Sequence, residues 1–130
     1  MRAQVDDLLQ KMPACAQYAV AAYAPVNAGA GTMGMSSELS RAIDTLIAAG
    51  KPLALVALGN PYLLRAYPKA TAYLATFSSV APSEIAAVKA LWGEIAIRGH
   101  LPVTIPGEAR YGEGIQLAAT RGTPTSVNQK

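Results

Sequence analysis

Three short apolar runs constrain the fold of this chain more than any other feature: "QYAVAAYAP" (17–25), "LALVAL" (53–58) and "AYLATFS" (72–78). None alternates apolar with polar residues, as a strand wet on one face would. Runs of this kind suit strands buried on both faces, which is the situation in a parallel sheet covered by helices. The segments between them read as helices. Val5, Leu8, Leu9 and Met12 share one helical face, and Pro13 stops that helix. Ser36 or Ser37 caps the next, with Glu38 in its first turn, where negative charge is favoured. Leu39, Ala42, Ile43, Leu46 and Ile47 form its apolar face, and Gly50 ends it before Pro52.

The second run ends in Gly59-Asn60-Pro61. Gly59 permits a tight turn, Asn60 caps, and Pro61 takes a first helical position, where its missing N–H costs nothing. The short helix closes at Tyr67-Pro68. Ser83 is expected to cap a further helix with Ile85, Val88, Leu91 and Trp92 on its buried face, ended by Gly93. Trp92 is assigned to the core, and Tyr62 and Tyr67 to packing. "HLPVTIPG" (100–107) is extended, and its prolines confine it to a sheet edge or a surface strap. The alternation predicts a three-layer α/β/α sandwich with a small, mainly parallel, Rossmann- or flavodoxin-like sheet over residues 1–120, followed by a loose tail at 121–130. Three core strands are few for such a fold and leave an apolar edge open, which is the surface for a possible homodimer.

Composition supports one folded domain. The chain has 130 residues, 52% of them hydrophobic and 15% charged, far too apolar for disorder. No uninterrupted run of about 18 apolar residues occurs, and charges in residues 1–12 exclude a signal peptide there, so the expected setting is cytoplasmic. The net charge of +3 is thinly spread, without a basic stripe, which disfavours nucleic acid. Cys15 is the sole cysteine and reads as a buried or half-buried thiol. With His100 alone it supplies too few ligands for a metal, and no cofactor is expected.

Gly29-Ala30-Gly31-Thr32-Met33-Gly34 matches the spacing of a dinucleotide fingerprint. Four residues, however, separate it from the strand, its helix begins too late, and no acidic residue follows the next strand to hold a ribose. A small nucleotide- or sugar-binding or dimerisation module using this loop is the alternative reading. Hydrolysis of a glycoside needs two carboxylates flanking one bond. Asp6, Asp7, Glu38, Asp44, Glu84 and Glu94 fall on predicted helices or helix ends, while Glu108 and Glu113 lie in a loop. No pair stands out, and no serine occupies a nucleophile elbow.

The order of "KPLALVALGNPYLLRAYP" and "AYLATFSSVAPSEIAAVKALWGEIAIRGHLPVTIPG" over residues 51–107 resembles the C-terminal domain of glycoside hydrolase family 3. Within that family the resemblance is to the bacterial β-N-acetylhexosaminidase branch. The resemblance implies that the nucleophilic aspartate belongs to an N-terminal (β/α)8 barrel, the missing partner of this chain. In the β-glucosidase branch this domain lends a glutamate from a loop near residues 26–38; in the hexosaminidase branch the proton donor is a barrel histidine. Glu38 is the only acid in that loop here, which fits the second branch. The family domain has at least one more βα unit before the position of residue 1, so the resemblance implies a partial domain, inactive alone, from a parent that could be exported. Loops at the carboxyl ends of strands line the crevice of such sheets. They make Asn60, Tyr62, Arg65, Ser78 and Ser79 the candidates for a substrate rim or domain interface, with no catalytic residue assigned.

Overall fold

The three apolar runs form one parallel sheet in the order β1-β2-β3, with β1 at Tyr18–Ala24, β2 at Leu53–Gly59 and β3 at Ala72–Ala75. These features come from a computed structural model that describes residues 2–24 and 35–121. Tyr18 lies opposite Leu53 and Ala24 opposite Gly59; Ala54 lies opposite Ala72. Period-2 alternation therefore puts Tyr18, Val20, Ala22, Leu53, Leu55 and Ala57 on one face, and Ala19, Ala21, Tyr23, Val56 and Leu58 on the other.

The first face is well covered. Helix α1 (Arg2–Lys11) and helix α2 (Ser37–Ala48) pack there, as does the 3-10 turn Pro61–Arg65. Leu55 and Leu63 are fully buried in this core, each worth about 1.5–3 kcal/mol of transfer free energy. Ser36 caps α2 by accepting from the Leu39 N–H at 3.3 Å. Gly50 leaves the helix at φ +71°, a left-handed conformation that glycine adopts without strain. Arg41 bridges to Asp6 at 2.9 Å across the α1–α2 contact. Both groups are half-exposed, so the pair contributes at most about 1 kcal/mol. Lys51 Nζ donates to the carbonyls of Pro13 and Cys15 and lies 5.8 Å from the Tyr18 ring centre, holding the exit of α1 to the start of β2. Cys15 is exposed there, neither buried nor half-buried as expected, because its segment runs over the surface between α1 and β1.

Among the described residues, α3 (Ala81–Leu91) is the helix on the second face, and its orientation corrects the sequence reading. Ala87 is the residue buried against Val56 and Leu58, with Leu74 beside them. Ile85, Val88, Leu91 and Trp92 are 57, 56, 38 and 53% exposed, so Trp92 is not core. Small side chains let the helix approach the sheet closely, and at 100° per residue the bulky set is then turned toward β1 and solvent. The helix also begins at Ala81, with Val80 at its cap position and no side-chain cap, so its cap lies three residues before the predicted Ser83. Pro82 in the first turn favours that earlier start.

Residues 100–107 form a strap, not a fourth strand of the sheet. Among the described residues it makes one isolated bridge, Ile105 with Ala109, and Ile97 just before it makes another with Leu117; Ile105 anchors the strap at 1% exposure. The layered α/β architecture is as expected. No helix among the described residues is long and apolar enough to cross a membrane.

Candidate functional site

The carboxyl ends of β2 and β3 gather most of the candidate rim. Gly59 turns out of β2 at φ +108°. Asn60 Oδ1 then accepts from the Tyr62 N–H at 2.9 Å, and Pro61 is buried. The Tyr73 hydroxyl, reaching across from β3, donates to the Pro61 carbonyl at 2.8 Å. Burial pushes the Tyr73 phenol up to about 12, against a smaller opposing effect of a backbone hydrogen bond at Leu64. The turn after β2 is thus fixed by its own cap and by the neighbouring strand.

The β3 end is built in the same way. Thr76 N–H donates to Ala57 at 3.1 Å, and the Thr76 hydroxyl donates to the Ser78 carbonyl. Ser78 Oγ accepts from the Val80 N–H at 3.4 Å, just before α3. Phe77 between them holds φ +58°, an unusual value for a residue with a side chain. Asn60 and Ser78 therefore spend an oxygen each on local structure. Tyr62 is 37% exposed, and Arg65 and Ser79 are exposed. Asn60, Tyr62, Ser78 and Ser79 share one end of the sheet. Arg65 sits at the far end of the 3-10 turn, away from the strand ends.

The acids are dispersed. Asp6 pairs with Arg41 and Asp7 with Lys11, while the Ser37 hydroxyl donates to Glu38 at 3.3 Å. Glu84 sits in the first turn of α3 and accepts from the Tyr23 hydroxyl, which raises the phenol above its ordinary value. Reduced hydration and the negative charge add smaller effects. Glu108 and Glu113 do share a depression of about 370 Å³ with Thr104 and Arg110. Both carboxylates are exposed there, and Glu113 closes its own turn by accepting from the Arg110 N–H at 3.1 Å. A glycosidase acid needs a desolvated site to stay protonated near neutral pH, and this open loop does not enclose one. Among the described residues, no group of three His, Cys, Asp or Glu side chains is placed to hold a metal. His100 Nδ1 donates to the Gly112 carbonyl at 3.0 Å and so serves the strap.

Two apolar surfaces were not singled out as sites from the sequence. A groove of about 290 Å³ lies between α1, α2 and β1, lined by Leu8, Leu9, Met12, Val20, Met35 and Leu39. On the opposite face, Ala19, Ala21 and Tyr23 of β1 are exposed beside the outer flank of α3. The signal for the second was present: residue parity in β1 and the alanine spacing of α3 together predict it. The Gly29–Gly34 motif, most of the loop at 26–38 and the tail at 122–130 lie outside the described residues. Comparison of the chain with known protein families, curated proteins and solved structures returns no match.

Proposed function

We propose that this chain is an accessory α/β domain of a family 3 glycoside hydrolase of the β-N-acetylhexosaminidase type. In this reading it acts as a scaffold and contributes to the rim of a sugar site whose reacting carboxylate lies on a barrel partner. The observation that carries the proposal is the chemistry at the ends of β2 and β3. Asn60, Tyr62, Ser78 and Ser79 are neutral hydrogen-bonding groups on turns locked by their own caps. Such groups suit hydrogen bonding to sugar hydroxyls or to a neighbouring domain, and none of them is a carboxylate, the group that most glycoside hydrolysis uses as acid and nucleophile. The order of motifs in residues 51–107 supports the family reading, and the layered sheet is compatible with it.

The test uses the purified chain with an aryl N-acetyl-β-glucosaminide, alone and mixed with a family 3 hexosaminidase barrel domain. The chain alone should give no turnover. It should bind the barrel, and Tyr62→Ala should weaken that complex. Turnover by the chain itself that disappears with Glu108→Gln or Glu113→Gln would refute the proposal.

A further inference from the structure

The geometry points to a second copy of this chain as the partner of β1, joined across a two-fold axis at Ala21 into a continuous six-stranded sheet. The backbone sets the pairing. Tyr18 N–H donates to Pro52 at 2.9 Å, so Tyr18, Val20 and Ala22 direct their backbone groups toward β2. By alternation, Ala19, Ala21 and Tyr23 direct theirs to the open edge. No described strand pairs with that edge. Antiparallel pairing with a second β1 sets Ala21 against Ala21 and Ala19 against Tyr23, and each pair exchanges two hydrogen bonds.

Nothing in β1 opposes this. The strand reads YAVAAYA, with no charge, no proline and no break in its ladder to β2. Natural edge strands usually carry at least one such guard. The β3 edge is a poorer candidate. It has four residues, and the strap residues Ile97, Leu101 and Ile105 line the groove beside it.

The side chains supply the area. An axis normal to the sheet keeps both copies of α3 on the same face. The helices lie over β2, so three strand spacings separate them, roughly 14 Å. Direct helix contact needs about 8–10 Å. Val88, Leu91, Trp92 and Tyr23 of each copy fill the difference, above a floor of Ala19 and Ala21. Aromatic side chains carry about 150–250 Å² each, and Tyr23 and Trp92 are just over half exposed. With Val88 and Leu91 the patch reaches roughly 400 Å² of apolar surface, most of the apolar share of a homodimer interface of about 800 Å² per partner. Glu84 lies by Tyr23, so the two copies of Glu84 fall at opposite ends of the seam, roughly 14 Å apart and screened from each other. The dimer does not depend on a glycosidase parent.

Sedimentation equilibrium of the 130-residue chain, from about 1 μM to about 200 μM, should reach twice the monomer mass of 13.5 kDa. Ala21→Lys and Ala21→Glu should each raise the dissociation constant about tenfold or more, since like charges would face each other at the axis. An equimolar mixture of the two variants should restore a dimer. Hydrogen exchange on the unmodified chain gives a check that needs no variant. The amides of Ala19, Ala21 and Tyr23 should slow as concentration rises, while those of Val20 and Ala22 stay slow throughout. A monomer at every concentration overturns the proposal. So does a dimer indifferent to charge at Ala21, failure of the mixed variants to pair, or exchange at the three edge amides that ignores concentration.

Discussion

Ala87→Leu tests which side of α3 meets the sheet. Ala87 is 5% exposed and sits on Val56 and Leu58, which are 2 and 3% exposed. Leucine adds three carbons. In free space inside the core they would stabilise by about 0.8 kcal/mol each, but a helix held close by alanines has no such space. Overpacking of this kind costs about 1–3 kcal/mol. The companion change, Ile85→Ala, should behave in the opposite way. A core isoleucine loses about 2–5 kcal/mol on truncation; Ile85 is 57% exposed, and alanine has the better helix propensity, so the loss should stay under about 1 kcal/mol. Both variants are made in the Ala21→Lys background so that self-association does not contribute, and each is unfolded in urea with far-ultraviolet circular dichroism. At an m-value of about 1–3 kcal/mol/M, a 2 kcal/mol loss moves the midpoint by about 1 M. Ala87→Leu within about 0.5 kcal/mol of its parent, together with an Ile85→Ala loss above about 2 kcal/mol, would restore the face expected from periodicity and refute the observed orientation.

Two further outcomes concern single groups. Tyr73 titrates near 12 when folded and about 10 when unfolded, so the fold favours the neutral phenol. That stability is complete below about pH 10 and is lost as pH rises toward 12. After allowance for partial exposure it amounts to about 1–2 kcal/mol, and Tyr73→Phe should flatten the decline in urea stability between about pH 9 and 11.5. Gly50 and Gly93 both have φ near +70°, but a β-carbon at Gly50 meets open space while one at Gly93 meets the Thr120 hydroxyl. Gly50→Ala should cost about 1 kcal/mol, and Gly93→Ala about 2. Thr120→Gly should recover the difference in a double-mutant cycle.

Much of the architecture was legible because strong local signals agreed with the final packing. The three apolar runs became β1, β2 and β3, Gly50 and Gly93 end their helices, and Asn60-Pro61 opens the 3-10 turn. Errors arose where size, not hydrophobicity, decided the packing. Periodicity scored Ile85, Val88 and Trp92 above Ala87, yet the sheet selected the alanine face because it allows closer approach. The same bias hid the exposed flank of β1, where Ala19 and Ala21 read as buried strand. At the rim, the sequence located Asn60 and Ser78 but could not show that their oxygens already bond to Tyr62 and Val80.

The strap after α3 returns to where it began. Ile97 and Leu117 bond each other in both directions, and the Gly93 carbonyl accepts from Thr120 and Arg121 at 2.9 Å each. The exposed arc around Glu108–Gly114 is therefore a closed loop in the hydrogen-bonded sense. A protease that cut this arc once would leave two fragments still joined at the base, and the severed chain would run at full length on a native gel while separating in two on a denaturing one.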